Sequence, residues 1–166
     1  MDYNALADLL LPEINKTPEY YENLYPARNL PEGARVTRIA PSPTGYLHLG
    51  VLFAALVNRI TATSTGGIFF TRIEDTDKKR EVAGGIEDII SGLHRFGITI
   101  DEGFISGTEQ KGEYGPYQQS HREEIYKTYV KELIRQGLAY PCFCTAEELA
   151  EVREIQEAQK IRTGYH

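Results

Sequence analysis

A chain of 166 residues with 41% hydrophobic and 25% charged side chains has the composition of a soluble globular protein and enough length for one ordinary core. Its net charge of −6 gives no bulk attraction for nucleic acid, so a nucleic-acid partner requires a local basic patch. The longest apolar run, around Leu6–Leu11, is too short to cross a membrane and follows no basic segment, so neither a span nor a targeting signal is expected; Cys142-x-Cys144 fits a reducing cytosol better than a disulfide.

In chain order, Ala5–Leu11 and Glu19–Tyr25 are short helix candidates, and Pro26–Gly33 is a turn-rich connector. A strand is predicted over 35–40. Pro41 and Pro43 end it, because each lacks a donor and holds its predecessor extended. Over 48–64 the spacing of Leu49, Leu52, Phe53, Leu56, Val57 and Ile60 predicts a helix with that face buried. Strand, glycine-containing turn and helix start together offer backbone N–H groups and a positive dipole end to an anion. Ser42 and Thr44 add hydroxyls there and His48 an imidazole. Taken alone, the same residues also read as a βα turn with a satisfied histidine.

A second strand is predicted at 67–74, then a helix at 82–96 with Val82, Ile86, Ile89, Ile90, Leu93 and Phe96 on one face, then a short strand or loop at 98–105. Strands alternating with helices of this length predict βαβ units, a parallel sheet and ligands at the carboxyl ends of strands. Arg38–Ser42 and Arg72–Asp75 both fall at such ends. Residues 107–119 form a polar, Gly-rich boundary. Beyond it, Ser120 and Glu123 read as a capping box opening a helix with Tyr126, Tyr129, Val130, Leu133 and Ile134 on one face. A short strand is expected at Ala139–Phe143. A second capping box, Thr145 with Glu148, opens a charged helix through about Ile161.

Four stretches, in order, resemble the class I aminoacyl-tRNA synthetases, in their glutamyl form. Arg38-Ile-Ala-Pro-Ser-Pro-Thr-Gly-Tyr-Leu-His-Leu-Gly50 is similar to the family's R-x-A-P-S-P-T-G-x-L-H-x-G string, with His48–Val51 in the place of H-I-G-H. Gly66–Asp77 followed by Arg80, then Gly115–Ser120, then Ala139–Thr145 leading into Glu147-Glu148-Leu149, are the others. The resemblance covers residues 35 to about 165. It implies an α/β fold: residues 34–118 as the first half of a Rossmann-like, HIGH-type nucleotide-binding domain with a parallel sheet, and 119–166 as the beginning of an α+β insertion that binds the tRNA acceptor end. Residues 1–33 are an extension many family members lack, expected to pack against the catalytic domain. Phe53 stands where many relatives carry an arginine.

The implied reaction is ATP-dependent ligation of glutamate to tRNA through a glutamyl-adenylate, with Mg2+ accompanying ATP. The resemblance implies His48, Gly50 and Thr44 as catalytic positions, with Pro43, Thr44, Gly45, His48 and Gly50 on ATP. In-line attack on an α-phosphate depends on positioning and on donors aimed at phosphate oxygens, and these residue types suit it. Arg38, Ala40, Ser42 and Glu74 are the implied glutamate-binding positions. A substrate with two carboxylates and one ammonium calls for a cation and an anion. Arg80 is implied at the tRNA end, within the basic cluster Arg72, Lys78, Lys79 and Arg80, which otherwise reads as a solvated face. Asp75, Thr76 and Asp77 are expected to hold the turn and cap the next segment of chain.

No metal site is expected. Cys142 and Cys144 resemble half of a zinc site, only Tyr165 and His166 come after them as further ligands, and two buried residues in a strand is the expected alternative. The chain corresponds to the N-terminal third of such a synthetase and is expected to be cytoplasmic and inactive alone; its oligomeric state is not legible. A shortened paralogue that glutamylates a modified tRNA base, and a non-catalytic tRNA- or protein-binding module, are the competing readings.

Overall fold

Two short β-prone segments, Val36–Ile39 (β1) and Ile68–Thr71 (β2), pair in parallel, with Val36 opposite Ile68 and Ile39 opposite Thr71. The computed structural model describes residues 2–45 and 47–164. Parallel neighbours need a crossover, and α3 (Leu49–Ser64) supplies it, giving the expected βαβ unit. At its return, a Cβ on Gly67 would stand 1.9 Å from the Arg35 carbonyl oxygen, so only glycine allows the chain this close to the start of β1.

A third sheet position beside β2 is assembled in pieces. Phe70 bridges in parallel to Glu102 and Ile73 to Gln118. The bonds are Thr71 N–H to Glu102 O (3.0 Å), Asp101 N–H to Phe69 O (3.0 Å) and Gln119 N–H to Ile73 O (2.9 Å). Gly103–Phe104 (β3) and Gln110–Lys111 (β4) form a small antiparallel pair at this edge. The result is a partial Rossmann-like α/β unit.

Its core lies on one sheet face. Phe69 and Ile73 pack there with Ala55 and Ala62 of α3, Ile89, Ile90 and Leu93 of α4 (Gly85–Arg95), and Ile98, Phe104 and Tyr117. Along α4 the predicted stripe is buried at Ile89, Ile90 and Leu93 and half-buried at Ile86, while Val82 precedes the helix and Phe96 caps its end, both exposed.

The other predicted faces are turned mostly outward, apart from half-buried Leu52 and buried Ile134. In α3 the buried residues are Ala55 and Ala62; Leu49, Phe53, Leu56, Val57 and Ile60 are exposed, Phe53 by 66%. Small side chains let the helix lie close on the sheet, and its bulkier side faces solvent. Likewise α5 (Glu123–Arg135) buries Thr128, Lys131 and Ile134, and it exposes Tyr126, Tyr129, Val130 and Leu133. Its neighbours are the helices of the N-terminal extension, α1 (Tyr3–Leu10) and α2 (Pro18–Leu24), so the extension packs on α5 as well as on the sheet-bearing part.

Ser120 does not cap α5. Gln119–Arg122 is a 3-10 turn, Arg122 is the N-cap, and the Ser120 hydroxyl donates to Asp75 instead, at 2.7 Å. The second capping box is formed in both directions: Glu148 N–H to Thr145 Oγ1 at 3.2 Å and Thr145 N–H to Glu148 Oε2 at 2.7 Å, opening α6 (Ala146–Ala158). The strand expected at 139–143 is not formed among the described residues, and Cys142 and Cys144 are exposed, not buried. Isolated strands leave their backbone groups without ladder partners, and 139–143 lies beside no sheet. Among the described residues no three His, Cys, Asp or Glu side chains form a metal-binding group. Tyr165 and His166, the remaining ligands considered for zinc, lie outside the described residues. No described helix is long and apolar enough to cross a membrane.

Candidate active site

Beyond Ile39 the chain leaves the sheet through half-buried Ala40 and is braced from two sides. The Pro41 carbonyl accepts from the Glu74 N–H (2.9 Å), and the Pro43 carbonyl accepts from the Val82 N–H (2.8 Å). Pro43 is buried against Gly85, where a Cβ would come within 3.1 Å of the Pro43 Cβ. With the prolines fixed, Ser42 and Gly45 are exposed and Thr44 is half-buried. A Cβ on Gly45 would have no neighbour within 4 Å, so its backbone is open to an approaching ligand.

His48 takes the N-cap position of α3 with an extended backbone (φ −118°, ψ 164°), and its side chain makes no capping hydrogen bond. Its ring lies 3.2 Å from where a Gly50 Cβ would be, so glycine makes room for the imidazole over the first helical turn. His48 is exposed, which disfavours the satisfied core histidine that the bare motif allowed. The imidazole, without a capping hydrogen bond, thus stands at the positive end of a sixteen-residue helix, and the Ser42 and Thr44 hydroxyls come earlier in the same turn.

The charged pair comes from the strand ends. Burial alternates along 68–75, sending Phe69, Thr71, Ile73 and Asp75 to the core side, while Phe70, Arg72 and Glu74 remain half-buried. Register places Arg38 opposite Phe70. Arg38 Nη1 consequently lies 3.5 Å from Glu74 Oε1, and Arg72 Nη2 lies 3.7 Å from the same oxygen. These are loose contacts between partly exposed groups, leaving both charges capable of exchanging each other for a ligand's. Glu74 stands at the sheet end, not at a helix start. A separate cavity of about 300 Å³, bordered by neither Arg38 nor Glu74, is lined by Tyr25, Arg28, Phe70, Arg72, Tyr117 and Arg122, among others.

Asp75 has a different task from the turn-holding one expected. It is 1% exposed and accepts from Ser120 N–H (2.9 Å), Ser120 Oγ (2.7 Å), Gln118 Nε2 (2.8 Å) and Lys78 Nζ (2.9 Å). Burial pushes its pKa upward, but these hydrogen bonds outweigh that and hold it well below the usual carboxylate value of 3.8. The carboxylate thereby ties the Glu74 segment to the entrance of α5. One signal of this was available, since Asp75 is in phase with Phe69, Thr71 and Ile73.

The basic cluster is dispersed. Lys78 pairs with Asp75 and Glu81, and Arg80 pairs with Asp77 at 2.6 Å, so their charges are largely met within the same turns. Arg72 points to Glu74 instead. The Arg80 side chain is 73% exposed, the most accessible of those paired cations.

A parallel βαβ unit whose first strand runs into a proline-braced turn and an open helix start, with a cation and an anion at adjacent strand ends, defines half of a class I nucleotide-binding catalytic fold. Residues 35–165 match the family of tRNA synthetases class I (E and Q), catalytic domain, and the chain belongs to that family. It is 55% identical over 164 residues to a glutamate–tRNA ligase of Clostridium perfringens, covering 99% of this chain and 30% of that protein. The glutamate–tRNA ligase of Clostridium beijerinckii is also 55% identical, over the full chain and 30% of its own length. A crystal structure of a glutamate tRNA ligase from Elizabethkingia meningosepticum, in complex with its amino acid, superposes with a TM-score of 0.68 at 42% identity, over 81% of this chain and 26% of that one. The chain therefore spans about a third of the length of the curated relatives it matches.

Proposed function

We propose that this chain is the N-terminal part of an enzyme that uses ATP to join glutamate to tRNA through a glutamyl-adenylate. The observation carrying this reading is the Arg38–Glu74 pair, 3.5 Å apart at two strand ends and adjoining the Pro43–Gly50 turn. Arg38 receives a substrate carboxylate and Glu74 the α-ammonium, with Ala40 and Ser42 lining the same exit. Arg–carboxylate pairing is charge-assisted and, when bidentate, selects planar carboxylates. Thr44, Gly45, His48 and Gly50, on the turn fixed by Pro43, hold the ATP phosphates. Of these, His48, Thr44 and Gly50 stabilise the charge that develops during in-line attack on the α-phosphate. Mg2+ enters with ATP, bound mainly through phosphate oxygens. Arg80 contacts the acceptor end of tRNA, and residues from 119 onward begin the insertion that receives it. The reaction is cytoplasmic on this reading.

The test is glutamate-dependent exchange between ATP and pyrophosphate by the native-length gene product, with and without tRNA. Exchange only with tRNA present supports the reading; silence under both conditions overturns it.

A further inference from the structure

Residues 2–30 bond to α5 along one stripe and to the 102–117 segment at their other end. We propose that they form a positioning strap that fixes the direction in which α5 leaves the catalytic half, and so places the tRNA acceptor end. This rests on the reading of residue 119 onward as the start of the acceptor-binding insertion.

The first attachment runs antiparallel to α5. Asp8 Oδ1 meets Lys131 Nζ at 2.9 Å and Arg135 Nη2 at 3.0 Å. Lys131 Nζ also donates to the carbonyls of Leu11 and Ile14, each at 2.9 Å. Further along, Glu13 meets Lys127 at 3.2 Å, Lys16 meets Glu124 at 2.7 Å, and the Tyr21 hydroxyl donates to Glu124 at 3.2 Å. Positions 124, 127, 131 and 135 follow one helical stripe. The order of charge sets the register: acidic Asp8 and Glu13 oppose Arg135, Lys131 and Lys127, and basic Lys16 opposes Glu124. A slip toward the helix C-terminus would set Lys16 beside Lys127, so misregister is penalised as well as register favoured. The exposed pairs contribute little stability by themselves. Lys131 is the hub, with a side chain only 7% exposed.

The second attachment grips the catalytic half. The Tyr25 hydroxyl donates to the Gly115 carbonyl, and the Tyr114 hydroxyl donates to the Pro26 carbonyl at 2.8 Å. Arg28 engages Glu102 through both terminal nitrogens, one at 2.7 Å, and stacks 3.6 Å above the Tyr114 ring. Glu102 also accepts from the Tyr117 hydroxyl at 2.9 Å and belongs to the sheet edge through its bridge to Phe70.

The third link is the Ser120–Asp75 junction. Strap, α5, Asp75, β2 and Glu102 therefore close a ring of contacts. With Asp75 alone, α5 would have a single pivot near its N-terminus. At 1.5 Å per residue the helix is about 20 Å long, so a swing of about 10° displaces its far end by roughly 3 Å. The strap supplies the second point that removes this swing. Misplacement of about 1 Å can cost a reaction on the order of a hundredfold, so the effect should be visible in charging.

A ring opens once, wherever it is cut, and this separates positioning from general destabilisation. In the native-length protein, Lys131→Met removes the hub that holds the strap to α5, and Arg28→Met removes the ion pair that holds it to the catalytic half; the exposed pairs and hydroxyl bonds left at each end are too weak to hold it alone. Each is expected to raise KM for tRNA about tenfold, with KM for ATP and glutamate unchanged within about twofold, and the double variant to be no worse than either single one. Both are also expected to accelerate amide exchange over residues 117–123, where Ser120 donates to Asp75, although Arg28 touches neither residue. Unchanged tRNA kinetics and unchanged exchange overturn the proposal. So do a parallel rise in all three KM values and additive losses in the double variant, which mark a structural role. If the unaltered protein charges no tRNA, the proposed function fails and exchange alone decides: acceleration in both variants supports the strap, and no change refutes it.

Discussion

Asp75 and His48 are opposite in character. Asp75 is buried and accepts four hydrogen bonds, and His48 is exposed with no capping bond. Asp75→Asn keeps the shape and removes the charge, and is expected to cost about 2–3 kcal/mol, because bonds to a charged acceptor are the stronger kind. The sign of its pH dependence is set by the depressed pKa. Unfolding returns the group to about 3.8, so its stabilisation is complete above that pH and is lost as pH falls below it toward the folded-state value. Urea midpoints measured from pH 7 down to pH 2 should fall steeply at the acid end in the unaltered protein and less steeply in Asp75→Asn. His48→Ala should leave the melting temperature nearly unchanged and lower kcat for glutamate-dependent exchange by roughly 10²–10³, the usual effect of removing one charge-stabilising donor. Arg38→Lys retains charge but not the planar fork, and should raise KM for glutamate by about tenfold more than KM for ATP.

At the scale of elements, glycine positions separate those the fold requires from those a ligand requires. Gly103 has φ +103°, and a Cβ there would stand 2.1 Å from the Thr71 carbonyl oxygen, so Gly103→Ala should lose at least ~2 kcal/mol in denaturant titration. Gly45→Ala has free space and should fold normally, so any activity it loses in exchange assays reflects backbone access for a ligand. The existence and order of strands and helices through residue 96 were legible in periodicity and turn chemistry, with ends shifting by up to three residues, because those signals are local. Side-chain periodicity marks a helix as amphipathic but does not say which stripe faces the sheet. In α3 the alanines won that contact, and in α5 the stripe of Thr128, Lys131 and Ile134 did. The Ser120–Glu123 capping box failed for a related reason. A buried carboxylate from a segment far away in sequence competed for the same hydroxyl, and a local reading does not register that competitor. Within the candidate site, whose residue roles are proposed, the strand-end positions of Arg38 and Glu74 and the helix-start position of His48 were legible through motif resemblance and strand-end logic. The partners of Asp75 and of Arg28 were not, since they depend on which loops the fold brings together.

Across the whole molecule, apolar surface is unevenly spent. Leu49, Phe53, Leu56, Val57 and Ile60 form an exposed face on α3, large enough in character to associate. The 166-residue chain should accordingly self-associate with rising concentration in sedimentation experiments. Phe53→Ser with Ile60→Ser should weaken this while shifting stability by no more than about 0.5 kcal/mol per site. The extension works in the opposite sense, consuming its polar groups internally. Lys131 carries three N–H groups, and Asp8, Leu11 and Ile14 each take one at 2.9 Å. An acylating reagent must reach the nitrogen, and with a side chain only 7% exposed this nitrogen becomes accessible when the extension lifts away. The speed of acetylation at Lys131, set against an exposed lysine such as Lys79 in the same sample, is therefore a clock for that opening, written by the protein into its own chemistry.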